Sequence, residues 1–443
     1  MITSEPSIRV GVADHCRDVE GEFLRLFTVN GSVSAQGKFR VTAEEGILVM
    51  RDANAAGIAS GREIVCIADK GGQFRLQNVT IGIHFHWERK EDQIFEGGLR
   101  LLVRDDGTIA VINDILLEDY LKSVVSSEMS AEAPLEFLKA HAITSRSWLV
   151  AMLERAKRTG QQQRVPGGAG GEAEVVRWYS REDHDLYDVC ADDHCQRYHG
   201  LTKVISTIAG EAIASTRGQF LLYNDEVCDA RFYKACGGIT EEFQSAWEDI
   251  RIPYLCSVAD APLRHEPIRT EADAAAWILS EPEAYCNTKD SVLLKQILPA
   301  FDQETTDFFR WTVRYQREEL ETILYEKSGY HFGILRDLIP LARGPSGRII
   351  KLRIVGSDKT IVVGKELEIR RWLSRSHLYS SAFVLELERD RSGDIATIIV
   401  HGAGWGHGVG LCQVGAAAMC SKGFSAERVV QHYFRGTQVR RLY

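Results

Sequence analysis

The chain has no stretch approaching about 18 consecutive apolar residues, so no membrane-spanning helix is expected. Its start, "MITSEPSIRVGVADHC", has neither a basic leader nor an apolar signal core. As given, the chain is expected to be soluble, and its compartment stays open between the cytoplasm and an envelope location reached after loss of a signal. It also lacks long blocks of one charge. The net charge of −9 comes from interspersed Lys, Arg, Asp and Glu, which argues against nucleic acid as the main partner. No disulfide-framework spacing occurs either. The ten cysteines, at 16, 66, 190, 195, 228, 236, 256, 286, 412 and 420, are scattered, and read as buried apolar residues in a reducing setting or as metal ligands.

What is present is 443 residues with 44% apolar content, enough to fill two or three packed units. Residues 7 to 113 alternate in short runs such as "GEFLRLFTV", "KFRVTA" and "LRLLVR" between Gly, Asp and Asn turns, which predicts a β-rich N-terminal region over 1–95. Residues 96–443 are expected to form the second, mixed region. From 115 the period changes, with Leu117, Tyr120, Leu121, Val124 and Val125 at helical spacing. Pro134 suits the first position of another helix, whose stripe is Leu135, Leu138, Ala142 and Leu149. A Gly- and Gln-rich loop is expected at 158–173, and a helical segment at 265–335 around the strand-like "FFRWTVRY". Runs of strands and then of helices suit an α+β fold rather than regular βαβ units.

Four segments could carry chemistry. Glu128 closes the first helix just before Pro134, so its carboxylate can project from the corner between two helices. Lys139 and Arg146 are seven residues apart on the second helix and point the same way, so the three could converge on one cleft. The plainer alternative has Glu128 solvated, Lys139 paired with Glu136, and Arg146 lying over the core.

The second segment, "HDLYDVCADDHCQRYHG", places His184, Cys190 and Cys195 within twelve residues, a donor set suited to tetrahedral Zn²⁺. His194, a carboxylate or water could be the fourth ligand. The third, "HGAGWGHGVGLCQVGAAAM", alternates glycine with Trp405, His407, Val409, Leu411 and Gln413. If extended, it has one bare glycine face and one face with an indole, an imidazole and an amide suited to a sugar. Tight backbone packing is the bland alternative, and no GxGxxG or GK[ST] supports a nucleotide cradle. The fourth, "RFYKACGGITEEFQSAW", holds Tyr233 and Cys236, the latter a candidate nucleophile with His407 as base.

In order along the chain, "INDILLEDYLKSVVSSEM", "PLEFLKAHAITSRSW", "DVCADDHCQRYHG", "KACGGITEEF" and "GAGWGHGVGLCQVGAAAM" resemble the SpoIID/LytB family, over roughly residues 95 to 443. The resemblance implies a SpoIID-like fold and a lytic transglycosylase that cuts peptidoglycan glycan strands stripped of their stem peptides. It implies Glu128 as the catalytic acid, with Lys139 and Arg146 beside it, and a zinc site at His184, Cys190 and Cys195 that is structural because thiolates suit such a site. Tyr233, Trp405, His407 and Gln413 would line the sugar path. The amidase-enhancer branch of the family implies a different role, with a cell-wall amidase as partner and no bond cleavage. A zinc-dependent hydrolase of wall fragments is the other rival. The helix "AHAITSRSW" departs from the family's Gln-Ala-x-Ala-Ala-Arg-Thr pattern but keeps the arginine.

Overall fold

The computed structural model describes residues 2–68, 71–83, 88–159, 173–178, 184–204, 206–263, 265–299, 303 and 307–443. Most of the expected loop at 158–173 lies outside the described residues. The architecture is α+β, and the chain forms two compact units, neither of them contiguous. The first is Met1–Arg146, Arg181–Phe220 and Arg441–Tyr443; the second is Ser147–Ser180 and Leu221–Arg440. Among the described residues, no helix is long and apolar enough to cross a membrane.

The first unit is built on an eleven-stranded sheet. Ten of its strands are β1 (Ser7–Cys16), β2 (Asp18–Val29), β3 (Val33–Glu44), β4 (Ile47–Asp52), β5 (Gly57–Gly61), β6 (Glu63–Ile67), β7 (Gln73–Ile81), β8 (Arg89–Glu96), β9 (Gly98–Val103) and β10 (Ile109–Leu116). The short strand Val189–Cys190 pairs in parallel with β1 at Val10 and Gly11. Residue 95 lies in β8, and β9 and β10 carry the same sheet onward, so the β-rich region extends past residue 95 to Leu116. Alternation explains the strands: Val19 and Phe23 of β2 point inward, a register shift before Phe27 leaves Leu26 exposed, and Phe27 and Val29 point inward again.

A run of buried rings then leads from the sheet to the first helix. Phe23, Phe27, Phe74, Phe95, Tyr198 and Tyr120 follow one another with centroids 4.6 to 6.1 Å apart. Tyr120 belongs to α1 (Leu117–Glu128), which follows β10 without a linker. Its first-turn donors are met from the N-terminal segment, where the Glu5 carboxylate accepts the Glu118 N–H at 2.9 Å and the Pro6 carbonyl accepts that of Leu117. Helix α2 (Leu135–Thr159) begins directly after Pro134. A wider surface than the expected stripe is buried, since all residues from 140 to 150 are inside. Small hydroxyl residues allow this, as when Thr144 satisfies itself on the Ala140 carbonyl at 2.8 Å. The dividing line between units falls within α2.

The second unit contains a four-stranded sheet (Ala173–Val176, Thr360–Gly364, Ile349–Gly356, Leu335–Arg343) and a three-stranded one (Arg310–Gln316, Ile395–Ala403, Phe383–Arg389). Trp311, Tyr315, Leu324, Ile354 and Trp372 belong to its main hydrophobic cluster. The expected helical segment at 265–335 holds helices Glu271–Leu279, Ser291–Ile297 and Arg317–Ser328, with the strand Arg310–Gln316 between.

Candidate functional site

Glu128 is the last residue of α1, and Met129 leaves the helix in an extended conformation. Its side chain is half-buried, and Oε1 accepts the main-chain N–H of Arg197 at 2.9 Å. No basic residue occupies the last turn of α1, and a carboxylate at a helix C-terminus meets the negative pole, an interaction of about 0.3–1 kcal/mol in the unfavourable sense.

The anticipated convergence of Glu128, Lys139 and Arg146 takes a different form. Lys139 donates to Glu136 at 2.8 Å, one turn back along its own helix. Arg146 is fully buried, with Nε and Nη2 on the two carboxylate oxygens of Glu118 at 3.0 and 2.6 Å and Nη1 on the Gln219 carbonyl at 3.1 Å. Its fork is a bolt between α1 and α2 inside the unit, not a group presented to a cleft. Glu118 also accepts from the Tyr443 hydroxyl and the Gly218 N–H. Burial pushes its carboxyl up, but the hydrogen bonds and charge of Arg146, with Tyr443 and Gly218, outweigh burial and hold it below the ordinary value. Glu118 had no signal in the sequence beyond being a first-turn acid.

His184, Cys190 and Cys195 do come together, and His194 joins them. The four ligand atoms lie within 4.8 Å of one another. His184 Nε2 is 3.3 Å from Cys195 Sγ, and His194 Nδ1 is 3.6 Å from it. Those spacings suit four donors around one tetrahedral Zn²⁺. Hydrogen bonds from Cys195, then His184 and His194, outweigh burial and pull the Cys190 thiol far down, toward the thiolate a metal requires. The loop is anchored on several sides: Tyr187 donates to Asp14, Arg104 pairs with Asp14 and Asp185, and Tyr120 donates to Gln196 at 3.1 Å. Arg197, whose N–H holds Glu128, bonds Asp193 of the same loop at 2.7 Å.

In the second unit the glycine-dense segment is not an extended strand. The strand ends at Ala403, and Gly404, Gly406, Gly408 and Gly410 have φ of 73°, 100°, 84° and 87°. Every second residue is therefore left-handed, and the chain coils where alternation suggested a flat ribbon. Close packing adds to the requirement, since a Cβ on Gly408 would stand 2.5 Å from the Arg348 guanidinium carbon. Arg348 is fully buried and donates to the carbonyls of Gly406 and Cys236. Beside it, the buried Glu241 accepts from Ser346 and Ser245, and its N–H meets the Gly408 carbonyl at 2.7 Å. Neither Arg348 nor Glu241 stood out in the sequence.

Trp405 is half-buried, stacked on Phe308 at 5.1 Å and tilted against Tyr379 at 4.6 Å. His407 packs between Tyr233 and Trp247, and its Nδ1 accepts the Val409 N–H at 3.0 Å. Desolvation, then Arg231, Arg348 and Arg370, push its pKa well down, so the ring is neutral. Tyr233 is buried, and its hydroxyl finds no hydrogen-bond partner in the described structure. Gln413 opens the helix Gln413–Ser421 and is buried. Cys236 is not a nucleophile beside His407: burial pushes its thiol well above the ordinary value, and its sulfur lies against Cys286 at 3.4 Å.

A family model described as "Stage II sporulation protein" matches residues 105–223, the stretch that holds α1, α2 and the Cys/His loop. A second, described as a domain of unknown function (DUF8618), matches residues 241–410. The chain is 25% identical over 328 residues to the stage II sporulation protein D of Bacillus amyloliquefaciens, covering 74% of this chain and 75% of that one. The protein of the same name from Bacillus subtilis is 24% identical over the same length. The amidase enhancer of Bacillus subtilis is 21% identical over 335 residues, 72% of this chain and 40% of that protein. With the motifs in their order along the chain, these matches support assignment of the chain to the SpoIID/LytB family.

Proposed function

We propose that the chain is a peptidoglycan lytic transglycosylase that cleaves the MurNAc–GlcNAc bond of peptide-stripped glycan strands and leaves 1,6-anhydroMurNAc ends. Membership of the SpoIID/LytB family supports a cell-wall-related role. The observation that carries the finer reading is Glu128: a half-buried carboxylate at the unfavourable end of its helix, oriented by a main-chain N–H. A surface glutamate needs neither feature.

Glu128 protonates the glycosidic oxygen as the C1–O bond breaks. The 6-hydroxyl of the same MurNAc then attacks C1, and Glu128 takes the hydroxyl proton, so one carboxylate serves both steps and no water enters. Arg146 acts as a positioning residue by locking α1 to α2 through Glu118, and Lys139 stays with Glu136. Zinc held by His184, Cys190, His194 and Cys195 would cross-link the loop whose Arg197 N–H orients Glu128. Four protein donors leave no open position, which supports a structural metal over a zinc hydrolase. In the second unit, Trp405 offers an aromatic face for sugar, while Tyr233, His407 and Gln413 shape the segment behind it.

A second reading is a non-catalytic glycan-binding module that acts on a cell-wall amidase, favoured by the match to the amidase enhancer. Mass spectrometry of products from purified, peptide-free strands separates the readings. Anhydromuramyl ends are expected; reducing ends would indicate hydrolysis, and intact strands would favour the amidase-enhancing role.

A further inference from the structure

Three cysteines far apart in sequence, Cys236, Cys286 and Cys412, meet inside the second unit together with Asp260. All four residues are buried, and their ligand atoms lie within 4.8 Å of one another. We propose that Cys236, Asp260, Cys286 and Cys412 form a second metal site, holding one tetrahedral Zn²⁺ independently of the site at residues 184–195.

Spacing is the first argument. Two sulfurs on a single zinc, each at about 2.3 Å, stand roughly 3.8 Å apart, against about 2 Å in a disulfide. Cys236 and Cys286 have their sulfurs 3.4 Å apart. A cluster of several irons would spread its thiolates over different metals, farther apart than the 4.8 Å within which all four ligand atoms lie here. Three sulfurs and one oxygen suit zinc, since the soft thiolates exclude Mg²⁺ and Ca²⁺.

Hydrogen bonding is the second. Main-chain N–H groups point at the sulfurs: Gly238 to Cys236 at 3.3 Å, and Cys236 and Gly415 to Cys412 at 3.3 and 3.4 Å. Neutral thiols are weak acceptors, whereas a metal-bound thiolate is stabilised by such donors. The Asp260 carboxylate is oriented in the same way, Oδ2 by the Cys286 N–H at 2.8 Å and Oδ1 by the Tyr433 hydroxyl at 2.5 Å. Both are neutral donors that orient the buried carboxylate, and neither bond brings a cationic side chain to it, a role a metal would fill.

Charge closes the argument. Three thiolates and a carboxylate exceed one divalent ion by two negative charges. Two guanidinium groups flank the cluster, the buried Arg348 donating to the Cys236 carbonyl at 3.2 Å and the half-buried Arg310 to that of Gly237 at 3.0 Å. The metal would tie the segment after Tyr233 to the one after His407, since Cys412 also caps the helix Gln413–Ser421. A Cys236–Cys286 disulfide is the rival, and it leaves the placement of Cys412 and Asp260 without a purpose.

The test is metal analysis of the full chain purified without chelator. The double variant Cys190→Ser/Cys195→Ser, which leaves the second unit untouched, is expected to retain one zinc per chain, and adding Cys286→Ser to remove it. With cobalt in place of zinc, the double variant should show thiolate-to-metal charge-transfer absorption. A double variant without metal, or a Cys236–Cys286 disulfide in peptide maps of unreduced protein, overturns the proposal. The single variant Cys286→Ser reports on the first site separately: one zinc retained there supports both assignments, because each site then fills on its own.

Discussion

The main-chain N–H of Arg197 donates to Oε1 of Glu128 at 2.9 Å, a hydrogen bond that joins the acidic end of α1 to the Cys/His loop. Glu128→Gln keeps the shape of the side chain and an oxygen for that bond but cannot exchange the proton. Cleavage of peptide-free strands should fall by roughly 10²-fold or more with the thermal midpoint unchanged. Wild-type-like rates in the variant would remove Glu128 as the acid.

Through the same bond, a zinc ion held by the loop would affect the rate without taking part in the chemistry. Cys190→Ser should lose the zinc of the first unit, lower the unfolding temperature and slow cleavage, because Arg197 is no longer held in place. Metal content, calorimetry and rate are measured together. Chelation that abolished cleavage while leaving the unfolding temperature intact would point to a catalytic metal instead.

Arg146→Met leaves the buried Glu118 without its cation, and breaking such a pair costs about 3–5 kcal/mol near neutral pH. Glu118 has a folded pKa below its unfolded one, so in the wild type its contribution is full above about 4.3 and is lost as pH falls through the lowered value. In the variant, protonation relieves the lone carboxylate. The stability gap between the two proteins should therefore narrow toward acid, as read by urea unfolding at a series of pH values.

His407 shares the sign of that pH dependence. Its folded pKa is pushed down, so below about 6.5 the unfolded chain takes up a proton that the folded ring refuses, and stability falls with pH. His407→Gln should show a shallower loss of stability between neutral and mildly acidic pH than the wild type. Equal slopes would mean that the ring is accessible to protons in the folded state.

Trp405→Ala removes a face worth about 1 kcal/mol in stacking, so affinity for glycan oligomers should drop roughly five- to tenfold with the fold retained. Isothermal titration with the two proteins measures it. Unchanged affinity would return Trp405 to packing against Phe308 and Tyr379.

Local signals were readable in the sequence where chemistry is local. The change of period at 115 located α1, Pro134 located the start of α2, and the spacing of His184, Cys190 and Cys195 located a donor cluster, with His194 left among the alternatives. Glycine alternation left an extended strand and tight backbone packing both open; only Gly402 is in the strand, and from Gly404 to Gly410 the two-residue repeat marks alternate left-handed residues. Arg146 could not be assigned from its helix alone, since its partner Glu118 sits on another element. Cys236 and Cys412 are 176 residues apart, and nothing local indicates that they meet.

The Glu118 pocket bears on how the chain is made. Tyr443, whose hydroxyl meets Glu118 at 2.6 Å, follows it by 325 residues. At translation rates of about 5–20 residues per second that partner emerges roughly 15–65 s later. Throughout that interval the nascent first unit lacks its last segment, Arg441–Tyr443, while the rest of the second unit is synthesised. Chaperone occupancy on ribosome-bound chains should accordingly persist at α1 until Tyr443 has emerged, long after the surrounding sheet has all of its strands.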